Sequence, residues 1–388
     1  MRNNSEMQCH HFDAHRCRSC ALLDIPYERQ LATKAADVHA LLGEYPDLDW
    51  LPPVASAQAG FRNKAKMAVS GTADNPILGI LDASFGGVDL RDCPLYTQGM
   101  QEVLDAVRAF IMAARIEPYR VADRRGELKY VLVTESPDSE YMVRFVARSQ
   151  EPVTRISKHL PGWLAENPQV RVVTVNLQPE HKAILEGDRE IVLTKDNSLT
   201  MRVGDIPLYL RPQSFFQTNT PVAAHLYRQA EQWIADARPQ HVWDLFCGVG
   251  GFALHAAPHA NRVTGVEISA EAIESARTSA AERALTNVTF DALDATTFST
   301  GHSARLADGG PDLVVVNPPR RGIGVDLAEW LNASDAHTVV YSSCNARSLA
   351  KDLTAMPQFQ PTRARLFDMF PHTNHVETVV LMSKVATD

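Results

Sequence analysis

A cysteine in a polar turn, Tyr341-Ser342-Ser343-Cys344-Asn345, follows the apolar run from Thr338 to Ser342. A thiol at a strand end can act as a nucleophile if its thiolate is accessible and stabilised. The competing reading is a buried structural cysteine, which the polar SSCN surroundings weaken. Glu377, in HTNHVETVV, opens the last apolar run. It can serve as a general base or stand as a solvated strand-end carboxylate. Asn317-Pro318-Pro319-Arg320 follows Leu313 to Val316. A side-chain amide ahead of two prolines makes a rigid loop able to hydrogen-bond a planar substrate or a cofactor's amino group.

DLFCGVGGF, residues 244 to 252, sets a glycine-rich turn between a strand and a helix. Such a turn lets the backbone approach a ligand closely. Twenty-three residues after Asp244, Glu267 ends the next apolar run. An acidic side chain there can accept hydrogen bonds from both ribose hydroxyls of a nucleoside cofactor. The G-x-G-G spacing lacks the G-x-G-x-x-G dinucleotide fingerprint. Asp244 would also repel a pyrophosphate while tolerating the cationic groups of S-adenosylmethionine. A purely structural βα turn is the alternative. Cys247, inside LFCG, reads as a small apolar filler.

Cys9, Cys17 and Cys20 form C-x7-C-x2-C, and Cys93 stands alone in RDCP. A tight trio with a distant fourth cysteine reads as a metal or cluster site. Four thiolates can hold zinc or an iron–sulfur cluster. His10, His11 and His15 keep zinc open at this point.

These residues need a framework. From about residue 213 to 388, seven short apolar runs alternate with helical segments: 242–246, 263–268, 288–293, 313–316, 338–342, 366–370 and 378–382, with a long helix over 270–284. This pattern implies βαβ units and a mostly parallel, Rossmann-like α/β sheet, with ligands at the carboxyl ends of its strands. Residues 95–212 read as an α+β region, with a helix over 98–114 and strands at 130–134, 142–147, 170–175, 190–194 and 207–210. Residues 1–94 hold the cysteines and further β-structure over 54–90.

The chain has 388 residues, 45% of them hydrophobic and 22% charged, which fits a globular protein of two or three domains. No run approaches the ~18 apolar residues of a membrane span, and no secretory h-region precedes the cysteines, so a cytoplasmic monomer is expected. The net charge of −8 excludes a partner held by bulk positive charge. Local basic clusters could still neutralise phosphates: Arg62, Lys64 and Lys66 on one strand face; Arg124, Arg125 and Lys129; and Arg320 with Arg321.

FFQTN (215–219), DLFCGVGGF (244–252), NPPRRG (317–322), YSSCN (341–345) and HVET (375–378) together resemble the S-adenosylmethionine-dependent RNA uracil-C5-methyltransferases. The cysteine pattern is similar to their iron–sulfur branch. GFRNKAKM (60–67), RGELKY (125–130) and DMFPHT (368–373) are similar to members acting on uracil-747 of bacterial 23S ribosomal RNA. The resemblance runs from about residue 7 almost to the end. It implies Cys344 as nucleophile and Glu377 as base. It implies Gln217, Phe246, Glu267 and Asn317 as S-adenosylmethionine contacts, Cys9, Cys17, Cys20 and Cys93 as [4Fe-4S] ligands, and 23S ribosomal RNA as partner. Two features set the chain apart from many relatives. Asn317 replaces the Asp that often opens the Pro-Pro loop, and the cysteines begin at residue 9, without the small RNA-binding β-barrel that precedes them elsewhere in the family. Outside this family, a small-molecule methyltransferase, an iron–sulfur redox protein and a non-catalytic RNA-binding module each leave some of these motifs unexplained.

Overall fold

The computed structural model describes residues 7–302 and 310–385. The chain forms two compact units. One takes the chain up to Cys20, Ala57–Met201 and Arg211–Gln213; the other takes Ala21–Ser56, Arg202–Leu210 and the chain from Ser214 onward. They interleave, rather than following the boundaries expected at 94/95 and 212/213. No helix among the described residues is long and apolar enough to cross a membrane.

The second unit is built on strands β1 (Asp49–Val54), β2 (His241–Leu245), β3 (Arg262–Glu267), β4 (Val288–Ala292), β5 (Leu313–Val316), β6 (Thr338–Ser343), β7 (Phe359–Phe367) and β8 (Glu377–Lys384). Its helices are α1 (Tyr27–Leu41), α2 (Thr220–Ala237), α3 (Gly251–Ala256), α4 (Ala270–Glu282), α5 (Ala295–His302), α6 (Val325–Ala333) and α7 (Ala346–Thr354). The sheet order is β1-β7-β8-β6-β5-β2-β3-β4. From β4 to β6 neighbouring strands are parallel; β8 then inserts antiparallel to both β6 and β7. The chain runs outward from β2 to β4, then returns to start β5 on the other side of β2. That reversal opens a crevice between the carboxyl ends of β2 and β5, where α/β sheets take their ligands.

Strand alternation sends Trp243 and Leu245 to one face, into a core with Val314, Val316, Val339 and Tyr341 and with Leu327, Leu331, Leu349 and Leu353 from α6 and α7. Val242 and Asp244 face the other way, where the Ala253 N–H of α3 donates to Asp244 Oδ2 at 2.8 Å.

β1 and α1 are among the elements of this unit without a clear sequence signature. The prolines of DWLPPV cannot donate to a ladder. β1 is an edge strand, paired with β7 alone, where that loss is tolerated. α1 supplies Val38 to the core, and its C-cap residue Leu42 joins it there. The strand expected over 366–370 instead begins at Phe359 and ends at Phe367. It ends there because Asp368 is fully buried and turns to α1: Lys34 Nζ donates to Asp368 Oδ1 at 2.7 Å and the Tyr27 hydroxyl to Oδ2 at 2.8 Å. Gln30 holds the same loop, its Oε1 accepting the His372 N–H at 2.9 Å. α1 therefore fixes the DMFPHT segment that leads into β8. Lys34→Met strands the Asp368 carboxylate in the interior. It is expected to lower the stability of this unit by about 3–5 kcal/mol in urea unfolding, the cost of breaking a buried pair from one side.

The first unit holds a sheet in the order Gly87–Asp89, Asn75–Leu81, Lys64–Thr72, Leu128–Glu135, Tyr141–Ala147, Val170–Leu177, Arg189–Val192. Tyr141–Ala147 and Val170–Leu177 run parallel, which requires a crossover. Helix Val153–Glu166 provides it, although Pro161 and Gly162 mask its helical pattern in the sequence. It buries Ile156, Leu160 and Trp163 in a core with Phe110, Val131 and Phe145.

Candidate active site

The loop after β2 is held by backbone contacts. The N–H groups of Phe246 and Cys247 both donate to Val266 O at 2.9 Å. Phe246 (φ +70°) and Gly248 (φ +54°) adopt left-handed conformations, and beside Gly248 the space a Cβ would enter is open. This is a backbone cradle with room for a ligand. Glu267, at the end of β3, accepts the Gly248 N–H at 3.2 Å and the Ser269 N–H at 3.1 Å, which fixes its carboxylate beside the cradle. Gln217 is buried, and Phe246 and Asn317 are half-buried. Asn317 is tied to the end of β2 by its N–H donating to Leu245 O at 3.4 Å. Cys247 is buried, as a filler should be.

Asp244, which opens the glycine-rich turn, is a further member of the site. It is fully buried, and its Oδ1 has no hydrogen-bond partner. Burial, opposed by the Ala253 N–H and reinforced by Glu267, pushes its carboxyl up to about 7. An orphaned acceptor beside an open cradle suits a ligand that brings positive charge.

The next rim is knitted by Asp352 of α7. Its Oδ2 accepts the Ile323 N–H at 2.9 Å and the Tyr341 hydroxyl at 2.6 Å, fixing the Arg loop after β5 to β6. Gly322 (φ +88°) makes this possible, because a Cβ there would lie 2.1 Å from Asp352 Oδ2. Asn345 caps α7 through Arg347 N–H and donates from Nδ2 to Arg320 O at 2.9 Å. The Pro-Pro-Arg loop and the cysteine turn thus hold each other in place.

The β6–β8 register pairs Ser342 with Val379 and Ser343 with Thr378. One further step sets Cys344 opposite Glu377, near enough for the carboxylate charge to act on the thiol although 33 residues separate them. Cys344 is half-buried. Burial and then the Glu377 charge push its thiol up, while the Arg320 guanidinium, hydrogen-bonded to it, pulls it down. Glu377 is 1% exposed. Burial pushes its carboxyl up to about 7, against a lowering hydrogen bond from the Ser342 hydroxyl to Oε1 at 2.6 Å. A polarised thiol, a guanidinium beside it and a carboxylate titrating near neutrality can together add sulfur to an electron-poor ring and later take a proton from it.

In the other unit, Cys9, Cys17, Cys20 and Cys93 line one cavity of about 200 Å³ with Arg62, Lys66 and Tyr96. Burial and then mutual repulsion among the four push the Cys20 thiol up to about 12. Among the described residues, the trio with ligand atoms within 4.8 Å of one another is His10, His11 and Asp92; no three of the thiols are that close. Four sulfurs on one zinc would stand about 3.8 Å apart, given Zn–S bonds of about 2.3 Å. His10 and His11 turn to Asp92, at 3.3 and 2.6 Å, and His15 Nδ1 meets Arg18 at 2.5 Å.

The basic clusters divide. Arg62, Lys64 and Lys66 do alternate with buried neighbours, but Arg62 and Lys66 line the cysteine cavity. Arg124 and Arg125 are exposed. Lys129 corrects the expectation: it is buried, donating to Gln178 Oε1 and to Glu180 O. Arg320 and Arg321 are exposed at the rim.

The sequence profile of the tRNA (Uracil-5-)-methyltransferase family matches residues 183–385. The chain is 48% identical over 380 residues to the 23S rRNA (uracil(747)-C(5))-methyltransferase RlmC of Escherichia coli O157:H7, covering 98% of this chain and all of the relative. It is 49% identical to the protein of the same name from Shigella boydii serotype 4, with 97% of this chain covered. Among solved structures, Pyrococcus abyssi tRNA (uracil-54, C5)-methyltransferase in complex with S-adenosyl-L-homocysteine superposes with a TM-score of 0.74. That match covers 94% of this chain and 85% of the other, at 25% identity.

Proposed function

This chain belongs to the tRNA (uracil-5-)-methyltransferase family, and on that premise we propose that it transfers methyl from S-adenosylmethionine to C5 of a uridine in 23S ribosomal RNA, uracil-747 as in its bacterial relatives. The observation that carries the reading is the juxtaposition of Cys344 and Glu377 on adjacent strands, with Arg320 on the thiol.

S-adenosylmethionine supplies an electrophilic methyl group on a sulfonium. Gln217, Phe246, Glu267 and Asn317 would hold it. Glu267 offers acceptors to ribose hydroxyls, Asn317 an amide to the adenine, and the orphaned Asp244 oxygen an acceptor for cationic charge. Uracil C5 is a weak nucleophile until the ring is activated. Arg320 offsets part of the burial that disfavours the Cys344 thiolate; the thiolate adds to C6, and the displaced electron pair moves to O4 as an enolate. Arg320, Arg321 and the Asn317 amide are the donors at this rim for that oxygen. After C5 gains its methyl it still carries a proton, and Glu377 removes it. A carboxylate near 7 suits this step at neutral pH. A base stacked in RNA cannot reach a half-buried thiol, so the uridine must be flipped out or presented from a loop.

Cys9, Cys17, Cys20 and Cys93 are the proposed ligands of a [4Fe-4S] cluster. Four cysteines lining one cavity, as many thiolates as such a cluster takes, support this choice. Methyl transfer is redox-neutral, so the cluster's contribution would be to crosslink residues 9–20 to the Cys93 loop.

Purified protein is expected to transfer labelled methyl to one uridine of unmodified 23S RNA, and anaerobic preparations to contain about four irons and four sulfides per chain. Methylation of tRNA but not 23S RNA would redirect the substrate assignment. A zinc-only metal analysis would remove the cluster.

A further inference from the structure

We infer that Ser342 is a positioning residue for the elimination step, orienting the Glu377 carboxylate through its hydroxyl so that Oε2 faces the C5 proton. The inference rests on Glu377 being the base. Ser342 lies in β6 and Cys344 is the first residue beyond its end, so continuing the strand's alternation by one residue puts both on one face. The ladder sets Val379 opposite Ser342 and Thr378 opposite Ser343; continued one step past its last pair, it sets Glu377 opposite Cys344. The Glu377 side chain therefore stands on that same face, with the serine hydroxyl deeper in the sheet and the thiol at its mouth. Ser342 is fully buried and its hydroxyl donates to Glu377 Oε1 at 2.6 Å. A buried carboxylate can rotate unless one oxygen is fixed, and a charge-assisted hydrogen bond of this length fixes it. With Oε1 engaged by the hydroxyl, Oε2 is the oxygen presented toward Cys344 and the ring bound to it. Burial raises the Glu377 carboxyl and this hydrogen bond lowers it, so the same contact keeps the base ionised near neutrality.

The C5–H bond breaks and its proton goes to Glu377 Oε2. The freed electron pair forms C5=C6. The C6–S bond breaks, and its pair leaves on Cys344 as thiolate. Addition and methyl transfer do not use the Glu377 base, so loss of the Ser342 hydroxyl separates the two halves of the reaction.

The test is single turnover with enzyme in excess over 23S RNA fragment and labelled S-adenosylmethionine. Methyl incorporation into acid-precipitable RNA is followed beside the covalent enzyme–RNA species on denaturing gels. Ser342→Ala is expected to incorporate methyl at the native rate while release of free methylated RNA slows about 10–100-fold, the worth of one hydrogen bond to a charged group. Labelled adduct then accumulates transiently, and the pH midpoint of release moves upward. Ser342→Thr, which keeps the hydroxyl, restores release. If Ser342→Ala does not fold, Ser342→Cys, of similar volume with a weak donor, carries the same measurement. Glu377→Gln is run in parallel. Adduct in Glu377→Gln but native release in Ser342→Ala overturns the role of Ser342 alone. Equal slowing of incorporation and release in Ser342→Ala, with no adduct, overturns it as well. Absence of adduct in both variants removes the base reading and this inference with it.

Discussion

Cys344→Ala is expected to reduce methyl transfer on the order of 10⁴-fold or more and to leave no covalent enzyme–RNA species at any time point. The size follows from the chemistry. Without sulfur at C6 the uracil ring has no enolate, and C5 does not attack a methyl group at a useful rate. Placing the methyl donor correctly does not compensate for this. The substitution itself is mild: Cys344 is half-buried, and the turn around it is held by Asn345 and by Ser343, whose hydroxyl accepts the Asn345 N–H. Retained RNA binding with lost transfer is the expected pattern. Normal turnover by this variant would exclude the nucleophile assignment.

Glu377→Gln is expected to fail later. Addition and methyl transfer proceed, but proton removal falls by about 10²–10⁴-fold, the usual contribution of a positioned general base. Methylated RNA then stays bonded to the protein as a species stable on denaturing gels. The same variant has an opposite effect on stability. The Glu377 carboxyl is raised from an ordinary 4.5 to about 7 in the folded protein. A raised value means that folding favours the protonated form. Its contribution is fully present below pH 4.5 and is lost as pH rises through about 7. At pH 8 the native protein therefore carries a buried, unfavourable charge that Gln does not. Glu377→Gln should be more stable than the native chain at pH 8 by roughly 1–3 kcal/mol, with the gap closing near pH 4. Thermal or urea unfolding at the two pH values checks the sign. Loss of release combined with gain of stability marks a group held in a costly state for function.

The parts of this molecule that were legible in the sequence are those with local signatures. The glycine turn after an apolar run, the acidic residue ending the next run and the alternation of short strands with helices each declare themselves within a few residues. β2, β3 and β5 fall within a residue or two of their expected positions. What stayed hidden depends on long-range pairing. Nothing local says that the last strand inserts between β6 and β7, yet that insertion is what brings Glu377 to Cys344. β1 stayed hidden because its prolines argue against a strand unless its place at the sheet edge is known. Asp352 and Ser342 are ordinary polar residues inside regular elements, and only their partners reveal that they organise the rim. Ser342 alone left a trace, since a residue two before a strand-end nucleophile shares its face. Lys129 misled for the converse reason: it sits among basic neighbours in the chain, but its strand carries it inward.

The most direct test of the central claim is to ask which atom of the protein becomes bonded to the ring. RNA containing 5-fluorouridine at the target offers no C5 proton to remove, so the adduct cannot be resolved by elimination. After incubation with S-adenosylmethionine, nuclease and protease digestion followed by mass spectrometry should find the methylated fluorouridine nucleotide on the peptide containing Cys344, and on no peptide of Cys344→Ala. Attachment at another residue, or full methylation of natural RNA by a protein that never forms the adduct, would contradict the account.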